Sequence, residues 1–240
     1  MSDTNIVPVS AGGSMSIIPQ DDERKFFSSI SDVPFLPSLK LIQGTNPEIE
    51  KGAQQGTFFV TLLDRKLTNK VIITVCARRA HALLLENNKK VKESFNYASP
   101  IFKEIIATQS TKDQSVRSSY SIGDFLLYLP EEDIFCTFFP GQKTLRPVAF
   151  DIIDYGTPPE GRAIDSRKNW PHTNVFTLNS EWKKYGTSFR SFIPVVTPLA
   201  CDPSFWPTPE ALAQPKAIFY KPVIDEMGVE EAPVDASVGR

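Results

Sequence analysis

The groups in this 240-residue chain that could carry chemistry are few, and their spacing argues against most catalytic constellations. There are two histidines: His81 lies two residues after Arg79, and His172 follows Trp170 and Pro171. Neither has a ligand-type residue three or four positions on, and no HExxH or CxxC spacing exists, so a zinc site has no signature here. Cys76, Cys136 and Cys201 are odd in number and far apart, which fits reduced core thiols and not a disulfide framework. No Gly-rich loop ends in Gly-Lys-Ser/Thr. The stretch Gly141-Gln142-Lys143-Thr144 lacks the upstream glycine, and no helix is expected after it to cradle a phosphate. A Gly-x-Ser-x-Gly nucleophile elbow is absent. Asp151 and Asp154 are three apart on an expected strand, where they would point to opposite faces and not converge on one ion. The expectation is a protein that is not an enzyme and uses no cofactor and no metal.

The cations are more informative. The net charge of −2 excludes a globally basic, histone-like protein but leaves room for a local basic face. Residues 65–117 hold eleven bases (Arg65, Lys66, Lys70, Arg78, Arg79, Lys89, Lys90, Lys92, Lys103, Lys112 and Arg117) and four acids, a local balance of +7. Residues 143–190 hold eight bases and five acids, a balance of +3. Phe95, Tyr97, Trp170, Trp182 and Tyr185 are interleaved with them. Rings beside cations are what single-strand binding uses: bases stack on the rings and ammonium or guanidinium groups meet the phosphates. The candidate phosphate contacts are Lys70, Arg78, Arg79, Lys89, Lys90, Lys143, Arg146, Arg167 and Lys168. Tyr97, Trp170 and Trp182 are the candidate stacking platforms, with Trp170 favoured because Arg167-Lys168-Asn169-Trp170 puts ring and charges on one loop.

These residues need a scaffold of short strands. Twenty Pro against twelve Gly, with seventeen Phe, favour a turn-rich β domain over a helical bundle. Residues 1–37 read as a flexible arm, from which Phe26, Phe27, Phe35 and Leu36 could dock. Strands are expected at Ser38–Gln43, Thr57–Leu63 and Lys70–Cys76, with Ala82–Leu85 either extending the last or opening a helix. The polar segment 86–120 reads as an insertion holding one helix, which Ser99 caps and Pro100 begins. Further strands are expected at Ile122–Leu129, Ile134–Phe139, Arg146–Ile153, Asn174–Leu178 and Ser188–Val196, with a short helical turn at Ser180–Gly186. The mainly β, antiparallel pattern fits an OB-like barrel over 38–196, with a β-sandwich as the alternative. A proline-rich docking segment over 197–222, with Ile218-Phe219-Tyr220 as its contact, and an acidic tail over 223–240 complete the chain. Neither a secretory signal nor a run of about 20 apolar residues is present, so the expected setting is cytoplasmic, without membrane contact.

Pro37-Ser38-Leu39-Lys40-Leu41-Ile42-Gln43-Gly44-Thr45-Asn46-Pro47-Glu48, followed by Gly52 and Gly56-Thr57-Phe58-Phe59, resembles the opening of a group of tailed-phage replication-module proteins. Gly123-Asp124-Phe125-Leu126-Leu127-Tyr128 and Gly141-Gln142-Lys143-Thr144 are similar to that group as well. The resemblance covers roughly residues 35–196 and its motifs are structural. It implies phage origin and an OB-like, single-stranded DNA-binding role in replication or recombination. Phage proteins of that kind pair the barrel with an acidic tail that recruits a protein partner. The present tail departs from them, ending Ser237-Val238-Gly239-Arg240 without a terminal aromatic. The rival expectation is a structural or interaction protein, such as a virion component or a binder of a host factor.

Overall fold

A single long strand, β4 (Lys70–Glu86), organises the molecule. The computed structural model describes residues 35–113, 115–157, 173–185, 189–200 and 202–227. The apolar run that opens β4 does not stop at Cys76 but carries on through Ala82–Leu85 to Glu86. Its first residues pair with β8 (Val175–Tyr185), its centre and end with β6 (Val116–Leu129), and its last turn of sequence with β5 (Lys89–Ser94), all antiparallel. β7 (Ile134–Phe138) and β9 (Phe189–Pro198) are the outer neighbours, giving the order β7-β6-β4-β8-β9. A second antiparallel sheet comprises β1 (Leu39–Leu41), β2 (Phe58–Val60) and β3 (Arg65–Lys66).

The fold is therefore mainly β and antiparallel, but the six-stranded sheet does not close on itself as the expected OB-like barrel would. The small sheet spans the gap instead. One parallel bridge, Ser38 to Thr137, ties its start to β7, and the Thr137 N–H donates to Pro37 O at 2.8 Å. On the other side the Gln43 side chain stands in for a strand. Its Nε2 donates to Phe192 O at 2.8 Å, and its Oε1 accepts the Phe192 N–H at 3.1 Å.

Two phase shifts in the β4–β6 ladder decide which residues share a face. Val75 pairs with Leu127 and Ala77 with Leu126, so Cys76 is an extra residue on β4. A bulge re-aims everything beyond it. Val71, Ile73 and Val75 enter the main core with Leu39, Phe58, Phe125 and Phe176, whereas Cys76 and Ala77 enter a second core on the opposite face. Both thiols among the described cysteines, Cys76 and Cys136, are buried and free. Desolvation pushes the Cys76 thiol up to about 12 and Cys136 higher still, which makes both inert. Cys201 lies outside the described residues.

Several elements differ from the sequence expectation. The 86–120 segment carries strand at both ends, in β5 and the start of β6: Asn87 and Asn88 both take positive φ, 49° and 63°, the two-residue turn that closes a tight hairpin between β4 and β5. Its helix α1 (Pro100–Ala107) does form as expected, with the Ser99 side chain accepting the Phe102 N–H at 3.1 Å. Residues Arg146–Ile153 do not continue the sheet. They form α2 (Arg146–Gly156), because Val148, Ala149, Ile152 and Tyr155 follow a helical period and are buried together. Ser180–Tyr185 is not a helical turn but the second half of β8.

The proline-rich stretch is also helical. α3 (Pro209–Met227) contains Pro215 and Pro222, and runs across the 222/223 point where an acidic tail was expected to begin. Its start carries ordinary signals, a Thr208 hydroxyl accepting the Ala211 N–H and Pro209 in the first turn. Internal prolines weaken a helix, so tertiary burial must hold it. Phe219, Tyr220 and Val223 supply that burial, packing on Cys76, Ala77, Leu126 and Phe135. Leu36 packs against the same cluster. Residues 1–34 and 228–240 lie outside the described residues. Truncating Phe219 to Ala should cost about 3–5 kcal/mol, the usual range for a fully buried Phe. Urea denaturation of the full chain measures it, and a loss under about 1 kcal/mol would mean that α3 is not part of the folded core.

Candidate nucleic-acid interface

The β8–β9 hairpin places cations and an aromatic ring together. Trp182 lies opposite Phe192, Lys183 opposite Ser191, and Lys184 opposite Arg190. Side chains alternate along a strand, so Trp182, Lys184, Phe192 and Arg190 share one face while Lys183 and Ser191 share the other. Lys184 and Arg190 are exposed, and neither takes part in an ion pair among the described residues. Like charges directly across a ladder repel, so this pair costs stability unless an anion sits between them.

The ring beside them is held in place. Trp182 is 50% exposed, with its other side against Phe192 at a centroid distance of 4.7 Å. Phe192 in turn is fixed on three sides. Gln43 holds its backbone, the Trp182 ring covers it, and Gly56 leaves room for it: a Cβ at Gly56 would fall 2.6 Å from the Phe192 ring. Gly56 also has φ +80°, so only glycine serves there without strain. The motif residues Gln43 and Gly56 thus act from beneath the platform.

Lys70 lies opposite Asn179 at the base of this hairpin, on the other face by strand alternation. Lys89, Lys90 and Tyr97 lie at the far end of β4, about 50 Å away along an extended strand of that length. Lys89 is exposed, Lys90 is paired with Glu93 at 2.6 Å, and Tyr97 is exposed with one ring contact, to Phe102. Arg78 and Lys143 are exposed on the middle of the molecule. Arg146 is engaged in packing: its guanidinium stacks on Tyr120 at 3.6 Å, and its Nε donates to the Tyr120 carbonyl at 3.1 Å. A helix does follow Lys143 and Thr144, contrary to expectation, but Gly141 sits against Phe139 and its carbonyl accepts from Arg146. Arg167, Lys168 and Trp170, the favoured platform, lie outside the described residues. The described cations therefore do not gather in one groove. Lys184 and Arg190, which are brought together, were not singled out in the sequence, because reading Ser180–Gly186 as a helical turn hides their cross-strand pairing.

Arg79 serves the interior. Its Nε donates to Asp124 Oδ2 at 2.8 Å, its Nη1 donates to the Phe219 carbonyl, and its guanidinium lies between the Phe95 and Phe219 rings at 4.1 and 4.2 Å. His81 lies beside it, stacked on Phe95 and packed against Phe139. Its Nε2 is 3.0 Å from Glu93 Oε1, and its Nδ1 is 3.4 Å from Asp124 Oδ2 without forming a hydrogen bond. Asp124 is buried, with Oδ1 lacking a partner. Burial alone would lower the His81 pKa, but Asp124 and Glu93 outweigh it and the net shift is upward. Burial likewise raises Glu93, and bonds from His81 and Lys90 overcome it and hold Glu93 down to about 2. No three of the His, Cys, Asp and Glu side chains come together as a metal site among the described residues. Asp151 and Asp154 lie on a helix, not a strand. Among the described residues no helix is long and apolar enough to cross a membrane.

No protein-family model, curated protein or solved structure matches this chain.

The group formed by Arg79, His81, Glu93 and Asp124 has a pH signature. A histidine with a raised folded pKa contributes stability that is complete below its ordinary value of 6.5 and lost as pH rises through the raised value. Glu93, lowered from 4.5, contributes above that value and loses its contribution as pH falls toward 2. Their joint contribution should peak between pH 4.5 and 6.5. Comparing urea midpoints of wild type and His81→Gln across pH isolates it from the rest of the chain. The difference should shrink above neutrality, and a difference independent of pH would show that His81 is uncharged in the fold.

Proposed function

We propose that the protein is a non-enzymatic single-stranded DNA-binding protein that engages the strand through the β8–β9 hairpin. The observation that carries this is the exposed Trp182 ring beside the unneutralised Lys184–Arg190 pair. A base stacks on a ring of this kind whatever its sequence, and the two cations are one strand step away, where flanking phosphates would lie. The like-charge juxtaposition is a cost in the free protein that a polyanion relieves. Preorganisation of the ring by Phe192, Gln43 and Gly56 lowers the entropy lost on binding. The phage replication setting rests on the resemblance of the Pro37–Glu48 region. In that reading the small sheet bridging β7 and β9 makes a partly open, OB-like arrangement, and the acidic C-terminal residues recruit a protein partner.

Trp182→Ala should weaken binding of a fluorescent oligonucleotide by about 1–3 kcal/mol, the worth of one stacked base. Lys184 and Arg190 should each account for about 0.7 of the slope of log affinity against log salt, the single-strand value per phosphate. Arg190→Glu distinguishes function from structure. It should abolish binding while stabilising the free protein by about 0.2–1 kcal/mol, because it converts a repulsive cross-strand pair to an attractive one. Binding unchanged by both substitutions would overturn the assignment.

A further inference from the structure

Lys184 and Arg190 stand directly opposite each other on β8 and β9, which sets their Cβ atoms about 5 Å apart. Successive phosphates of a single strand are separated by a whole sugar and its flanking bonds, so two cations this close converge on one phosphate and not on two in succession. Their mutual repulsion is relieved most by an anion lying between them, and two positive charges are matched by a dianion. An internal phosphodiester carries one negative charge. A terminal phosphomonoester carries close to two at neutral pH and presents three acceptor oxygens.

The surroundings of the pair are one-sided. Trp182 and Phe192 lie one strand step inboard on the same face, and the next pair on that face is Ser180 with Pro194. Neither is charged, so the hairpin offers no cation on the inboard side of the ring. The one acid among the described residues of the hairpin, Glu181, lies opposite Ile193 and falls on the other face by alternation. The pairing of β8 with β4 ends at Asn179 and Lys70, so β4 does not flank the hairpin beyond that point. A nucleotide with its base on Trp182 therefore meets two cations of the hairpin at one of its phosphates and none at the other. We propose that the hairpin prefers the end of a single strand that carries a terminal phosphate, a preference that rests on the single-strand reading of this site. The end base stacks on Trp182, and Lys184 and Arg190 close on the phosphomonoester. The 5′ and 3′ ends of a strand share this chemistry.

The test is competition by unlabelled oligothymidylates against a fluorescent single strand bound to the full chain. The competitors are an eight-nucleotide strand with a 5′-phosphate, the same strand with a 3′-phosphate, and a ten-nucleotide strand with hydroxyl ends, which matches the total charge of the phosphorylated strands in internal phosphates alone. A phosphorylated strand should compete about tenfold better than the ten-nucleotide strand, the lower end of the range for hydrogen bonds to a charged group, and the end concerned gives the polarity. Arg190→Gln should cut that ratio to about twofold, because one cation is left to meet a dianion. Trp182→Ala should weaken all the competitors alike and keep the ratio. Equal competition by the charge-matched strands, or a preference undiminished in Arg190→Gln, would overturn the terminal-phosphate preference and leave single-strand binding standing. Failure of the probe and of every competitor to bind would overturn both.

Discussion

The extra residue at Cys76 is the constraint on which the remaining architecture depends. β4 is too long to face one core throughout, and an unbroken alternation would send Arg79 and His81 to the same side as Val71, Ile73 and Val75. The bulge reverses that phase. It turns Cys76 and Ala77 together toward α3, and carries Arg79 to the face where Asp124, Phe95 and Phe219 await it. A buried guanidinium without partners would be prohibitively costly, so the bulge, the ion pair and the docking of α3 stand or fall together. The Phe219 carbonyl that accepts from Arg79 belongs to α3, so the same guanidinium also ties that helix to the sheet.

The candidate interface follows a different logic. It is built at the end of the sheet, where β8 and β9 run past the start of β4 and are no longer flanked by it. Little burial stabilises such a hairpin, and its repulsive Lys184–Arg190 pair works against it. The compensation comes from one side, through Gln43 and Phe192. A single glutamine side chain caps the β9 edge that a closed barrel would have paired, and the same contact fixes the ring under Trp182. Openness of the sheet and rigidity of the platform are therefore two results of one arrangement. Pro194 on β9 fits the same picture, since an edge strand loses nothing by lacking an N–H on its outer side.

Wherever local signals and burial agree, sequence alone was enough. The Ser99-Pro100 start of α1, a strand within each of the expected spans 38–43 and 134–139, the β6–β7 turn and the buried state of Cys76 and Cys136 all follow from caps, apolar runs and turn residues acting within a few positions. What tertiary structure decided were the elements where two readings compete. Arg146–Ile153 has both a β-rich composition and a helical period, and the shared burial of Val148, Ala149, Ile152 and Tyr155 selects the helix. Pro215 and Pro222 forbid α3 on propensity, and the second core overrides them. Charge counting along the chain placed eleven bases in one segment, but it could not tell that Arg65, Arg79 and Lys92 each face an acid from elsewhere in the sequence and that Lys90 pairs with Glu93 on its own strand. Nor could it bring Lys184 to Arg190. Pairing across a sheet depends on register, register on bulges and turn geometry, and these are settled only when both strands meet over a common core.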